Sequence, residues 1–520
     1  MTVRIFLALS ALSAASTAWA QQSCENLRNT AMPGIAITSA VSIPAGSFTL
    51  PTGGAPGGPA PTVQAPAFCR VAATVGKEVR IELWMPQQWN HKLLAVGNGG
   101  LAGSISYMPM VKPLQQGYAT SSTDTGHQGS STDGEWALGN YERILNFADR
   151  ATHLMAEADK VILKAFYGAQ PVHSYFSGCS QGGHEAMIEA QRYPADFDGI
   201  IAGDPANNWT HHYIGGHLWI ALAVDGDGYI PANKVHILAD AVNNQCDALD
   251  GVKDGVLNDP RRCNFNPDVL LCKGSDTSEC FTGEQVAAVR KIWSGLRTPE
   301  GQVIYPGLVP GGETGPGGWA SYITGSGPRQ GRHSNLAVPF FKFMVFDDPS
   351  WNYMTFKFSA TDGFDSDIDY TDAKLAAVFN AVNPDLSGFK ARGGKLIHYH
   401  GWSDPDITPL NSINYYESVM RAQGGDVHGL QNTAAFYRLF MVPGMQHCQG
   451  GPGATSFDML DPLDKWASQG VAPAKVIASH VTNGIADRTR PLCPYPQEAQ
   501  WTGAGSTDDA ANFVCAPAKQ

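Results

Sequence analysis

Strand-like and helical runs alternate along the first part of this chain, stop near residue 207 and resume near residue 391. That interrupted rhythm constrains the fold more than any other feature. Within Arg80–Met85 the first four residues alternate polar and apolar, and Lys92–Val96 is a short apolar run. Phe147–Phe166 carries Leu154, Ala158, Ile162 and Ala165 at helical spacing. Val172–Ser177 reads as a strand, Gly182–Arg192 as a helix and Phe197–Ala202 as a strand. The pattern returns with Lys395–Tyr399 (strand), Pro409–Arg421 (helix), Phe436–Val442 (strand) and Ser456–Ala467 (helix). Strands separated by helices predict an α/β fold with a mostly parallel sheet.

The segment 207–390 lacks this alternation, is rich in Gly, Pro and Trp, and holds four of the ten Cys. It reads either as an independent second domain or as a lid inserted into a single α/β domain. The return of the sheet pattern favours the lid, because a loop-rich segment of that size must form a subdomain of its own. The expected organisation is residues 21–206 as the first part of the core, 207–390 as the inserted lid and 391–520 as the second part. Residues 21–75, with a Gly/Pro-rich stretch from Pro51 to Pro61, read as an arm of short strands and loops.

Composition narrows the function classes. Only 16% of residues are charged but 43% are apolar, which excludes a disordered or fibrous chain. The 57 Gly and 34 Pro follow no G-X-Y period, so they signal turns rather than collagen. A net charge of −12 argues against a nucleic-acid partner, which needs a basic face to neutralise phosphates. A length of 520 residues allows one large domain with an insertion, or several ordinary ones.

Residues 1–20 read as a cleaved signal peptide. Arg4 supplies the positive start, Ile5–Ala15 the apolar stretch and Ala18-Trp19-Ala20 the A-x-A cleavage pattern. The apolar run is shorter than a bilayer requires, and no later stretch is long enough to span one, so no membrane partner is expected. Export to the periplasm or the medium places the ten Cys in an oxidising compartment, where they read as five disulfides. No CxxC pair suggests a zinc ribbon. Proximity pairs Cys272 with Cys280, Cys246 with Cys263, and Cys493 with Cys515, while Cys24 and Cys69 would tie down the N-terminal arm. Cys179 and Cys448 remain.

The strongest local motif is Gly178-Cys179-Ser180-Gln181-Gly182, lying between a predicted strand and a predicted helix. This is the context a G-x-S-x-G nucleophile elbow requires: the glycines permit a sharp turn that exposes the serine hydroxyl at the sheet edge. In a Gly-rich chain the pattern also arises by chance, so the flanking elements carry the reading. A serine nucleophile needs a base, and the base needs an orienting acid, in chain order Ser, acid, His for this fold. Asp404 follows the strand at Lys395–Tyr399, and His447 follows the strand at Phe436–Val442. Asp406 competes as the acid. His398 and His400 compete as the base but precede the acid; capping and surface roles are the plainer alternatives for Asp404 and His447. Cys179 adjoins Ser180 and Cys448 adjoins His447, so a serine and histidine within hydrogen-bond reach would bring these two Cys close enough to bridge.

The pairing of Cys179-Ser180, Asp404 and His447-Cys448 resembles the tannase and feruloyl esterase family, an α/β-hydrolase group that includes mono(2-hydroxyethyl) terephthalate hydrolases. Asn98–Gly103, Phe197–Trp209 and the middle segment extend the resemblance over nearly the whole mature chain. The resemblance implies an α/β-hydrolase fold with a large lid and, as substrate, a small-molecule ester of an aromatic acid such as a hydroxycinnamate, a gallate or a terephthalate monoester. A hydrolase or acyltransferase of other specificity, such as a peptidase, and a non-catalytic binding protein are the alternative readings. No oligomeric state is read from the sequence.

For the oxyanion that forms during acyl transfer, the Gln181 N–H just after the nucleophile is one expected donor. The other should come from the Gly-rich loop after Lys92–Val96, with Gly100 favoured and Gly99 next, although such a loop also serves as a plain tight turn. Between Asp247 and Val256 three carboxylates and two glycines cluster without EF-hand spacing, which reads equally as a metal loop or a solvated acidic turn. By the family resemblance it implies a structural calcium held by Asp247, Asp250 and Asp254 with the carbonyls of Val252 and Val256. Asp225 and Asp227 read as a turn. Trp209, Trp219, Trp293, Trp319, Trp351 and Phe340–Phe346 offer flat apolar walls for an aromatic acid, though any one of them reads first as core packing. Arg329 and Arg332 could pair with a substrate carboxylate but read first as surface cations. Asp124 and His127 read as structural.

Overall fold

Nine strands form the central sheet of a computed structural model that describes residues 22–51, 60–358 and 366–518. In chain order they are β1 (Ile35–Ile43), β2 (Phe68–Val75), β3 (Val79–Pro86), β4 (Lys92–Val96), β5 (Ala119–Thr123), β6 (His173–Cys179), β7 (Gly199–Gly203), β8 (Lys395–Gly401) and β9 (Tyr437–Val442). Their spatial order is β1-β2-β3-β5-β4-β6-β7-β8-β9. The first three are antiparallel and β3 meets β5 antiparallel, whereas β5 through β9 are mutually parallel. Parallel neighbours need crossover helices on the sheet faces, which is why these strands are largely buried on both faces rather than alternating between buried and exposed.

Residues 21–75 therefore do more than the arm expected of them: β1 and β2 extend the sheet. The segment before residue 22, with the expected signal peptide, lies outside the described residues, as do 52–59 within the Gly/Pro-rich stretch.

The principal helices are α1 (Tyr107–Gln115), α2 (Ala151–Tyr167), α3 (Gln181–Arg192), α4 (Ile214–Ala223), α5 (Ala232–Cys246), α6 (Gly283–Ser294), α7 (Arg332–Pro339), α8 (Pro409–Ala422) and α9 (Leu460–Gln469). In α2, Met155, Ala158, Ile162 and Phe166 recur at helical spacing and are buried against the sheet. Fully burying side chains of this size contributes roughly 1.5–3 kcal/mol each. The sheet thus has a core on each face: one gathers α2, α3 and α8, the other α1 and α9.

β7 and β8 are adjacent and parallel, yet 191 residues separate Gly203 from Lys395 in numbering. The segment between them forms α4–α7 and encloses its own core around Leu238, Phe281, Val289 and Trp319. A second cluster joins this lid to the main body, packing Phe147 and Leu101 against Trp209, Phe340 and Phe379. The lid is helical where the sequence reads as loop. In α4, Gly215 and Gly216 argue against a helix, but Gly216 faces the Tyr305 ring so closely that a Cβ would collide with it.

Candidate active site

The chain leaves β6 and enters α3 through a single residue, Ser180, whose φ of 66° and ψ of −120° lie in a region non-glycine residues rarely adopt. The turn is held by the Ser180 N–H donating to the Gly203 carbonyl (3.0 Å) and the His184 N–H donating to the Ser180 carbonyl (2.9 Å). Gly178 is required because a Cβ there would run into the backbone of Gly182. A strained residue between a strand and a helix is the geometry that a nucleophile elbow requires.

The loop after β4 docks on the first turn of α3. The Gly182 N–H donates to the Asn98 carbonyl (2.8 Å), and the Asn98 N–H donates to Glu185 Oε2 (3.1 Å). Burial pushes the Glu185 carboxyl up to about 8, against the lowering effect of the Asn98 N–H and the Gln181 side chain. Gln181 opens α3, so its N–H has no intrahelical acceptor. Gly100 takes a φ of 60°, and a Cβ there would strike the Ser131 carbonyl. His127 stacks on Trp136 with ring centroids 3.6 Å apart and hydrogen-bonds the Leu101 carbonyl (3.0 Å), bracing this loop from below. Asp124 accepts the N–H groups of Arg80 and Gly126, at 3.0 and 2.9 Å.

Asp404 lies beyond β8 and His447 beyond β9, and the two meet: His447 Nδ1 is 2.8 Å from Asp404 Oδ2. The other Asp404 oxygen accepts the N–H groups of Asp406 (2.7 Å) and Ile407 (3.0 Å), so the carboxylate is clamped. Burial alone would raise this carboxyl, but the His447 and His400 contacts outweigh it and hold it below the ordinary range. Burial also opposes charge on His447, yet Asp404 and Asp406 together push it up to about 9.

The competitors separate cleanly. His398 is engaged on both nitrogens by Tyr437 and Ser412, and His400 by Ser412 and the Ile407 carbonyl, so both support β8 from within the core. Asp406 does not take Nδ1; its Oδ2 lies 3.2 Å from Nε2 on the opposite side of the ring.

All five expected disulfides are formed: Cys24–Cys69, Cys179–Cys448, Cys246–Cys263, Cys272–Cys280 and Cys493–Cys515. Beside the second of these sits Asp204, which the sequence reading missed. Its carboxylate accepts the N–H of Gly401 (2.7 Å) and the N–H of Cys448 (3.1 Å). One buried group thus ties the strand end before the acid to the residue after the base. An aspartate directly after the apolar strand Gly199–Gly203 was the available signal.

The lid closes on these loops. Ser403 Oγ donates to the Gly311 carbonyl (2.7 Å), Thr408 Oγ1 to the Gly307 carbonyl (2.6 Å), and the Gly317 N–H to Gln446 Oε1 (3.1 Å). Trp209 and Trp319 are fully buried in lid cores, as core packing demands. Arg329 is exposed and pairs with Asp225 at 3.1 Å. Arg332 departs from the surface-cation reading: it is half-buried at the start of α7, where its charge is felt by Asp406, Tyr213 and Tyr322. The reason is tertiary, since α7 turns this face toward the loop after β8.

Farther away, Asp247 Oδ1 accepts the N–H groups of Asp254, Gly255 and Val256, at 3.2, 3.0 and 3.3 Å. Asp250 Oδ1 accepts the Val252 N–H (2.9 Å), and Asp254 Oδ2 pairs with Arg490 (2.5 Å). Asp247 and Asp250 each commit one oxygen to bracing the loop, whereas Asp254 Oδ2 is shared by Arg490 and Arg488 (3.2 Å) from outside it. Burial, followed by the charges of Asp254 and Asp247, pushes the Asp250 carboxyl up to about 6. Carboxylate and carbonyl oxygens are the hard donors that calcium takes.

Residues 64–516 match the family model described as tannase and feruloyl esterase. An uncharacterised esterase of Xanthomonas campestris is 39% identical over 96% of this chain and 92% of its own length. The mono(2-hydroxyethyl) terephthalate hydrolase of Piscinibacter sakaiensis is 33% identical, covering 87% of this chain and 85% of that one. The crystal structure of feruloyl esterase B from Aspergillus oryzae superposes with a TM-score of 0.84 at 29% identity, over 95% of this chain and 99% of that chain. With the sheet order, the elbow and the match along the whole chain in agreement, this protein is a member of the tannase and feruloyl esterase family, built on the α/β-hydrolase fold.

Proposed function

We propose that this protein is an exported serine carboxylic ester hydrolase acting on esters of aromatic acids: hydroxycinnamates, gallates or terephthalate monoesters. The observation that carries the mechanism is the His447–Asp404 contact at 2.8 Å, with the Cys179–Cys448 disulfide joining the chain neighbours of His447 and of a serine held in the strained elbow conformation. Family membership and the names of the relatives support the substrate class.

In this reading Ser180 Oγ attacks the ester carbonyl carbon while His447 Nε2 takes its proton, and Asp404 holds the Nδ1–H and the resulting positive charge. The carbonyl oxygen, now negative, accepts from the N–H groups of Gln181 and Gly100; one such donor is worth roughly 3–4 kcal/mol of transition-state stabilisation. Collapse breaks the C–O bond, and the His447 proton leaves with the alcohol. Water, deprotonated by His447, then attacks the acyl-enzyme and frees the acid and Ser180.

The loop Asp247–Val256 would hold calcium through Asp247, Asp250 and Asp254 with the carbonyls of Val252 and Val256. Bound there, the ion supplies charge neutralisation that stiffens the lid, and no catalytic step passes through it. Export is supported by the N-terminal sequence and by the pairing of every Cys among the described residues. Among those residues no helix is long and apolar enough to cross a membrane.

The test is a side-by-side rate comparison on methyl ferulate, methyl gallate, a terephthalate monoester and a short p-nitrophenyl ester, with Ser180→Ala as the blank. Strong preference for one aromatic acid is expected. Turnover of the activated p-nitrophenyl ester alone would reject the aromatic-acid assignment.

A further inference from the structure

A triad needs one carboxylate on its histidine; this one has two. Asp404 takes Nδ1 at 2.8 Å, and Asp406 places Oδ2 3.2 Å from Nε2, the atom that exchanges protons with serine and leaving group. Asp406 is buried, and neither of its oxygens makes a hydrogen bond. It lies within ion-pair distance of Nε2 but outside hydrogen-bond alignment, so the Nε2 axis stays free for a hydroxyl while the charge remains close. Its place is fixed, because the Asp406 N–H donates to Asp404 Oδ1 (2.7 Å).

We propose that Asp406 is a second counter-charge for the His447 imidazolium, making His447 a stronger base and moving the acid limit of activity to higher pH. The inference rests on His447 being the base of the proposed hydrolase. Its physics is that of any proton acceptor: a nearby negative charge favours the protonated form. When His447 takes the Ser180 proton, that form is what the transition state approaches. The same charge that eases proton abstraction at high pH keeps the resting base protonated at lower pH.

The groups around the pair define what else could act on it. His447 faces Asp404 and Asp406 from the loop after β8, Asp204 from the end of β7, and the Tyr322 ring of the lid, edge-on at 5.7 Å. Asp406 faces His217 of α4, with Nε2 3.1 Å from Oδ1, and His333 of α7, with Nε2 at 3.7 Å. Arg332 adds positive charge from α7, and the hydroxyls of Tyr213, Tyr305 and Tyr322 complete the surround. His333 stays neutral, lowered first by burial and then by the stacked His217. Burial opposes charge on Asp406, but His447, His217 and Arg332 outweigh it and hold the carboxyl below the ordinary range, so it stays ionised, which the proposal requires.

The experiment measures kcat/KM for an aromatic-acid methyl ester from pH 5 to 10 in the intact protein and in Asp406→Asn, which keeps shape and removes charge. The acid limb should fall by at least about one pH unit in the variant, a tenfold change in proton affinity. Its high-pH plateau should drop roughly three- to tenfold, as a weaker base predicts. A variant that loses activity uniformly, with its acid limb unmoved, would overturn the proposal and leave Asp406 a packing residue.

A second measurement needs no activity. Proton NMR of the unaltered protein should show the downfield ring N–H signals of His447, assigned by their loss in His447→Gln, persisting above pH 8. Titration near the ordinary histidine value would overturn it. Absence of ester hydrolysis in the unaltered protein would instead reject the enzyme reading while leaving this arm decisive.

Discussion

Cys179 and Cys448 are joined by a disulfide with a Cα–Cα separation of 5.9 Å, across 269 residues of sequence. Each is the immediate neighbour of a proposed catalytic residue, Ser180 or His447, so the bond sets the distance between nucleophile and base covalently. Replacing both with Ser should lower stability by about 3–5 kcal/mol through the chain entropy of so long a loop. It should also reduce kcat more than it changes KM, because hydrogen bonds, among them the one from the Cys448 N–H to Asp204, would then hold the base loop without a covalent tie to the nucleophile strand. Thermal unfolding and steady-state kinetics on the double variant check both halves. An unchanged kcat would mean that the hydrogen bonds suffice to place His447.

Ser180→Ala and His447→Ala should each remove turnover, and Asp404→Asn should lower kcat by roughly 10⁴, as loss of the orienting acid does in a triad. The contrast with Asp406→Asn is informative, since the two carboxylates sit on opposite nitrogens of one ring. Single-turnover kinetics with a p-nitrophenyl ester would read each loss directly. Activity surviving in Ser180→Ala would sink the mechanism.

Gly100→Ala is expected to cost about 10²–10³ in kcat, with KM changing little, because its N–H would stabilise charge that exists only in the transition state. The physical cause is local: φ is 60° and an added Cβ would strike the Ser131 carbonyl, so the loop must shift its N–H. Gly99 meets nothing within 4 Å at the same probe position, so Gly99→Ala should be far milder. Equal effects would move the donor assignment.

Glu185 ties α3 to the loop after β4 with a carboxyl raised to about 8 by burial. A carboxyl raised on folding contributes stability that is present below its unfolded value, near 4.3, and lost as pH climbs through the folded value. The protein should therefore lose stability between about pH 4 and 8 from this group. Glu185→Gln, which still accepts the Asn98 N–H, should regain a few kcal/mol at pH 8 and almost none at pH 4. Melting temperatures at the two pH values decide it; equal shifts would contradict the linkage.

Chelating calcium should lower the melting temperature, while kcat measured well below that temperature should stay within about twofold, since an ion in the proposed lid site would supply folding energy and not chemistry. Asp250→Asn should reproduce the effect. Metal analysis of protein purified without chelator should return calcium, and a metal-free result would remove the site.

Much of the sheet is legible from local pattern because parallel strands and their helices announce themselves by unbroken apolar runs and a period near 3.6 residues. β5 escaped that reading, since Ala119–Thr123 is almost wholly hydroxyl-bearing although every residue of it is buried. Two of its side chains find partners inside: Thr123 Oγ1 donates to the Arg80 carbonyl, and Ser122 Oγ accepts the Ser106 N–H; the buried hydroxyls of Thr120 and Ser121 make no hydrogen bond with the described residues. α1 was hidden by Pro113, which ordinarily breaks a helix interior. In the lid, α4 was obscured by Gly215 and Gly216, where an added Cβ would collide with the Thr210 carbonyl and the Tyr305 ring.

What the amino-acid sequence alone determined was whatever depends on neighbours in the chain: the elbow between a strand and a helix, the order serine, acid, histidine, and the Cys beside two of them. Tertiary structure decided which carboxylate meets which nitrogen of His447, that Asp204 bridges Gly401 and Cys448, and that Arg332 faces inward. The physical reason is that these contacts join segments far apart in sequence. Asp404 and Asp406 differ by only two positions in one loop, and only the packing of β8 against β9 and the closing lid settles which side of the imidazole each approaches.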